Sequence, residues 1–264
     1  MTPQDGAVLG VFGLMVGSFL NVCISRLPAG QSVLAPSSRC PSCATPIAWR
    51  DNVPVLSWLW LGGQCRNCRG TISRRYPLVE LATAAVFISQ GVVLGGSPLS
   101  DPTLAVPLAS RLVLSALLVA LLVTDLETFR LPNPLTFFGI AAGLCLSAIG
   151  PLGLWGGLLG ASIGAAALFA IREIWKRARG VEAMGLGDVK MLAMIGAFLG
   201  WPHVWVVLLL SSVLGASIGI GLTVMGRGTM QTKLPFGIFL SLAALVASLW
   251  GQVLIDWYLG TVLT

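Results

Sequence analysis

Charge is scarce in this chain: Asp, Glu, Lys and Arg make up only 10% of its 264 residues, and one histidine accompanies them. An ordinary soluble domain carries about 25% charge, so a water-exposed globule is excluded. Tyrosine is scarce too, with 2 residues. No GxGxxG follows a strand-like run and opens a helix, which removes a Rossmann-type cofactor domain from consideration. What fills the chain is apolar, with 56% hydrophobic residues and a mean hydropathy of +0.88. This is the composition of an integral membrane protein. Met1 to Gln4 carries no lysine or arginine and the apolar run continues past any signal-peptide length, so the first segment reads as retained.

Apolar runs that can cross about 30 Å of hydrocarbon fall near residues 6–25, 78–96, 104–124, 134–149, 152–172, 188–200, 203–225 and 236–258. Lipid offers no partner to backbone amides, so these runs read as helices. The fourth and sixth are short and need tilting, local thinning or burial in protein. Cations test the count, because cytoplasmic loops collect Lys and Arg. With the N-terminus outside, fifteen of the sixteen cations fall inside. They are Arg26, Arg39, Arg50, Arg66, Arg69, Arg74 and Arg75 in the first loop, Arg130 in the third, Arg172, Lys176, Arg177, Arg179 and Lys190 around the fifth, and Arg227 and Lys233 in the seventh. Arg111 alone lands near the outer edge, where it is expected to snorkel to the headgroups. The net charge of +6 then reflects orientation and anionic lipid, with nucleic acid excluded as a partner.

The longest polar insertion, 27–77, contains CPSC and CRNC, so Cys40, Cys43, Cys65 and Cys68 form two CxxC pairs separated by twenty-one residues. That is the spacing of a four-thiolate zinc knuckle, and the reducing cytoplasm favours metal over its competitor, a pair of disulfides. Four protein ligands leave no open position, so the zinc is structural. Cys23 and Cys145 lie inside spans and read as small apolar fillers. The expected fold is therefore all-α and polytopic, with about eight transmembrane helices and a small cytoplasmic zinc-binding loop domain. Its parts are a first transmembrane helix at 1–26, the tetracysteine domain at 27–77, and a transmembrane domain of about seven helices at 78–264.

Acids at membrane depth are costly and invite a functional question. Asp125 closes the third span in TDLETFRLPNPLT and Asp188 opens the sixth in GLGDVK, 63 residues apart in sequence but both at the cytoplasmic mouth. Asp188 taken alone reads first as a helix N-cap. Asp125 faces the wrong end of its helix dipole and gains nothing there, unless it is a solvated acid paired with Arg130. Two carboxylates at one mouth, flanked by glycines, suit peptide hydrolysis: one ionised acid draws a proton from water while its protonated neighbour donates to the carbonyl oxygen.

The chain resembles the type IV prepilin peptidases, through GSFLNVCISRLP at 17–28, the two CxxC pairs, RRYPLVELATA at 74–84, TDLETFRLPNPLT at 124–136, GLGDVK at 185–190 and PFGIFLSLAAL at 235–245. The resemblance implies a GxGD-type aspartic protease of the inner membrane using Asp125 and Asp188. Its substrates are implied to be prepilins or pseudopilins, cut after a glycine that ends a short basic leader, with the new N-terminus methylated from S-adenosylmethionine. The family often has Asp and Pro where this chain has Asn133 and Ile238. The zinc loop, on the aspartates' side of the membrane, is the expected clamp for a leader. Its own arginines mean that Glu80, Asp51, Glu127 or lipid phosphate must help hold a basic segment. Glu80 is a candidate for the methyl-donor site, against a simple dipole role in the first turn of span two.

The remaining expectations are structural. Asn21 reads as an interhelical hydrogen bond beside Gly17 and Ser18, GGLLGASIG and GASIGIG as helix-packing motifs, His203 as an outer-interface residue, and Trp155, Trp201, Trp250 and Trp257 as interfacial belts. A transporter and a non-enzymatic assembly scaffold are the rival classes. A transporter is disfavoured because the acids sit at the mouth rather than the midplane and no internal repeat is found.

Overall fold

The computed structural model describes residues 1–180, 184–226 and 234–262. Its helices are α1 Pro3–Arg26, a short α2 Leu56–Trp60, α3 Arg75–Leu94, α4 Ala105–Thr128, α5 Asn133–Ile149, α6 Gly153–Arg179, α7 Leu186–Leu199, α8 Trp201–Val224 and α9 Phe236–Val262. No strand occurs among the described residues; Arg39 with Pro46 and Gln64 with Thr71 form isolated bridges. A helix stands at each of the eight expected spans, and 6 of them are long and apolar enough to cross a membrane. The 17-residue α5 and the 14-residue α7 fall short. At about 1.5 Å per residue, α7 extends about 21 Å. Its solution is enclosure in protein: Met191, Leu192, Met194, Ile195 and Ala197 are fully buried. Arg227 and Lys233 lie outside the described residues.

The chain divides into two compact units, Met1–Leu104 and Ala105–Thr264. In the first, α1 begins in a capping box: the Asp5 amide donates to the Thr2 hydroxyl and the Thr2 amide to the Asp5 carboxylate, with Pro3 at the first helical position. α1 then lies directly on α3. A Cβ on Gly13 would stand 2.6 Å from the Ala84 Cα, and one on Gly17 2.7 Å from the Glu80 Cα. Asn21 adds the expected interhelical bond, its side-chain amide donating to the Tyr76 carbonyl at 3.1 Å.

In the second unit α6 and α7 meet backbone to backbone. A Cβ on Gly164 would stand 2.6 Å from the Leu192 carbonyl oxygen, and Gly160 and Gly196 face each other's carbonyls more closely still. Between lipid-embedded helices such small-residue contacts, rather than water exclusion, supply the attraction. GGLLGASIG is thus a packing motif as expected. GASIGIG is only partly one, because Gly221 has no neighbour within 4 Å. Two further expectations are corrected. Arg111 turns inward and donates to the Ser248 carbonyl of α9 at 2.7 Å, satisfying a helical carbonyl instead of reaching for headgroups. Cys145 is exposed and fills no gap, whereas Cys23 is buried. Trp155, Trp201 and Trp257 are exposed near helix ends, whereas Trp250 is exposed midway along α9 rather than at an end, and His203 is half-buried against Gly251.

Candidate active site and metal centre

Two matching turns build the cysteine cluster. Each is closed by a cysteine amide bonded to the carbonyl five residues on, Cys40 to Thr45 and Cys65 to Gly70. Each also turns through a left-handed residue four after that cysteine, Ala44 at φ 57° and Arg69 at φ 57°. The result brings all four Sγ atoms within 4.8 Å of one another, with Cys40 and Cys68 3.8 Å apart. A tetrahedron of sulfurs about 2.3 Å from a central zinc has edges of about 3.8 Å, so the donor set fits that ion. The Thr45 hydroxyl and amide beside Cys43 bring its thiol down to about 6, favouring the thiolate that a metal requires. The second turn is tied to the turn at Trp49–Asp51 by Arg66, which grips Asp51 with two nitrogens at 2.6 to 3.1 Å and holds its carboxyl below the usual carboxylate range. Asp51 is therefore already paired and is a poor anchor for a basic peptide.

Glu80 lies past the first turn of α3 and is buried, so it does not serve as a dipole complement. Its Oε2 accepts the Val55 amide at 2.7 Å. Val55 is a β-branched residue at φ 60°, a conformation that needs such an external tie. Glu80, Ser18, Asn21, Trp58 and Tyr76 help to line a cavity of about 1050 Å³ within the first unit. Asn21 Oδ1 is buried without a hydrogen-bond partner.

The two singled-out aspartates fall in the second unit. Asp125 sits in the last turn of α4 and is only 5% exposed. The amides of Gly237 and Ile238, in the first turn of α9, approach its carboxyl. First-turn amides lack intrahelical partners and form the positive end of the helix, which offsets the unfavourable C-terminal position of the acid. Its Oδ2 is buried and has no hydrogen-bond partner. No ion pair with Arg130 forms among the described residues; Arg130 is exposed. Asp188 is not the N-cap of α7: Gly185 holds that position and Asp188 lies in the first turn. Its Oδ2 is 3.6 Å from where a Cβ on Gly185 would stand, and its carboxyl is close enough to Asp125 for their charges to act on each other.

Two neighbours of this pair escape the sequence reading. A Cβ on Gly237 would stand 2.7 Å from Asp125 Oδ2 and 3.1 Å from Leu131 Cδ2, while one on Gly187 would stand 3.1 Å from Leu131 Cβ. Leu131 and Gly237 thus belong to the site. PFGI and RLPN signal them only as motifs, because no carboxylate or thiol marks their chemistry. Asn133, a position where the family often has Asp, accepts a 2.7 Å bond from Lys190 Nζ. Ile238 stands where its amide, absent from a proline, approaches Asp125.

Two family models match the chain. Residues 11–93 match the bacterial peptidase A24 N-terminal domain and residues 112–220 match the type IV leader peptidase family. A prepilin leader peptidase/N-methyltransferase of Aeromonas salmonicida is 38% identical over 96% of this chain and 93% of its own length. One from Aeromonas hydrophila is 39% identical over 94% and 92%. One from Myxococcus xanthus is 40% identical over 88% and 67%. No solved structure matches the chain significantly. The chain belongs to the type IV leader peptidase family and is a multi-pass inner-membrane protein. The transporter and scaffold readings find no support among these relatives.

Proposed function

We propose that this chain is a membrane aspartic endopeptidase that removes the basic leader of prepilins or pseudopilins after a glycine and then methylates the new N-terminus. The observation that carries the proposal is the pairing of Asp125 and Asp188 beside unsubstituted glycines, in a chain 38% identical to a prepilin leader peptidase/N-methyltransferase over 96% of its length. One carboxylate takes a proton from a water molecule as its oxygen attacks the scissile carbonyl. The other, protonated, donates to that carbonyl oxygen, and collapse of the tetrahedral species passes a proton to the leaving amine. Asp125 is buried while Asp188, in the first turn of α7, is half-buried, so the pair stands at the edge of the protein interior where water can reach it.

The N-terminus is assigned to the periplasmic side and the aspartates to the cytoplasmic mouth, supported by the cation pattern of the loops. A precursor with its apolar helix in the bilayer and its leader in the cytoplasm then presents the bond to be cut at that mouth. Residues 27–77 form a zinc module held by Cys40, Cys43, Cys65 and Cys68, whose sulfurs fit the ion and leave it no open position. S-adenosylmethionine supplies an electrophilic methyl group. The cavity beside Glu80 is assigned to it, since its volume suits a ligand of that size and the Glu80 carboxylate and Asn21 Oδ1 are acceptors for a cationic donor.

Mass spectrometry of a pilin precursor incubated with the detergent-solubilised protein, with and without S-adenosylmethionine, tests both reactions. Loss of the leader in both samples, with one added methyl only when the donor is present, is the expected result. An intact precursor in both overturns the reading.

A further inference from the structure

Between α1 and α3 lies an apolar face that neither the cysteine cluster nor the cavity uses. In the five-residue α2, Ser57 and Trp58 turn inward and line the cavity. Ser57 Oγ donates to the Arg50 carbonyl and Trp58 Nε1 to the Ile72 carbonyl. Leu56, Leu59 and Trp60 occupy the other side, at the i, i+3 and i+4 positions that share one helix face. They are 64, 62 and 88% exposed, and none of them lines the cavity. An apolar cluster of this kind marks a contact with something other than water. What covers it follows from where α2 is fastened. The amide of Val55, one residue before α2, is bonded to Glu80 Oε2 at 2.7 Å, and the Glu80 Cα packs on Gly17 of α1. Gly17 lies nine residues inside the end of α1 at Arg26, about 13 Å along the helix axis. The start of α2 is thus tied beside the two membrane helices, within the depth they cross, instead of standing out in water.

We propose that α2 is an interfacial anchor: Leu56, Leu59 and Trp60 enter the boundary between headgroups and acyl chains of the bilayer, among anionic phospholipids. Tryptophan and leucine are side chains that settle at that boundary. The charge around them suits the same partner. Residues 26–75 hold seven arginines and a single acid, Asp51, which Arg66 already grips. Each arginine near the surface draws anionic headgroups toward it. The anchor holds one side of α2 on lipid while its other side forms part of the cavity wall. It does not depend on the reading of the aspartate pair.

The test places the photo-cross-linker benzoylphenylalanine at Trp60 and, separately, at the exposed Gln64 in the full chain. Both proteins are reconstituted in nanodiscs of phosphatidylethanolamine and phosphatidylglycerol, and the adducts are identified by mass spectrometry. Lipid adducts are expected at least about 10-fold more often at position 60 than at 64. Phosphatidylglycerol is expected among them at least about twofold above its share of the bilayer. Adducts to peptide in place of lipid, which would mark a second copy or another protein surface, overturn the proposal. So does equal lipid labelling at both positions, or phosphatidylglycerol at no more than its share. Hydrogen exchange gives a second reading without cross-linking. The double variant Leu59→Ser, Trp60→Ser touches no cavity residue, and its amides at 56–61 should exchange at least about 10-fold faster in nanodiscs than those of the wild type. Unchanged exchange, expected if these side chains simply face water, overturns the anchor.

Discussion

At the scale of single residues, the site joins groups that announce their chemistry to groups that do not. Asp125 and Asp188 stand out in the sequence because a carboxylate is costly in an apolar chain without a task, and the four cysteines because of their paired CxxC spacing. Leu131 and Gly237 stand out only in three dimensions, because what matters about them is the space they fill or leave. The same distinction explains Asn133, which reads as a departure from a family motif until Lys190 is seen 2.7 Å from its side-chain oxygen. Asn133→Asp turns that bond into an exposed ion pair. It is expected to raise thermal stability in detergent by at most about 1 kcal/mol, with the gain shrinking as salt is added. Glu80 presents a sharper case. Glu80→Gln keeps an oxygen for the Val55 amide, so fold and cleavage should persist while binding of S-adenosylmethionine, measured by calorimetry, weakens. Glu80→Ala leaves that amide unsatisfied and should also destabilise the protein by about 1–3 kcal/mol in a thermal melt.

At the scale of elements, hydropathy and loop charge locate the eight helices at the expected spans, though neither their roles nor the short α2. α7 is too short to span alone, and its burial follows from glycine contacts that no hydropathy window reports. Gly160 and Gly221 provide a matched comparison, since both are helical glycines in motifs of the same appearance. Gly160→Ala drives a methyl into the Gly196 carbonyl and is expected to cost about 1–3 kcal/mol in a detergent melt. Gly221→Ala meets nothing within 4 Å and should be neutral or stabilising, by up to about 1 kcal/mol from helix propensity. Similar costs for both would contradict the packing assigned to α6 and α7. The first turn of α9 teaches a related lesson: its amides at Gly237 and Ile238 give Asp125 a favourable partner that a reading of α4 alone cannot supply.

At the scale of the whole molecule, the four clustered cysteines and the two aspartates fall in different compact units, the cysteines in Met1–Leu104 and the aspartates in Ala105–Thr264. The metal module should therefore be separable by experiment. One zinc per chain is expected by elemental analysis, and Cys40→Ser should lower both zinc content and resistance of residues 27–77 to proteolysis, because the ligand turns have little apolar core of their own. The central claim is that Asp125 and Asp188 act together on one peptide bond. It is tested most directly by following leader removal by mass spectrometry with purified wild type, Asp125→Asn and Asp188→Asn at matched thermal stability. The account predicts complete processing by the wild type and at least about a 1,000-fold loss in each variant, since neither acid can serve alone. Processing at the wild-type rate by either variant would contradict it.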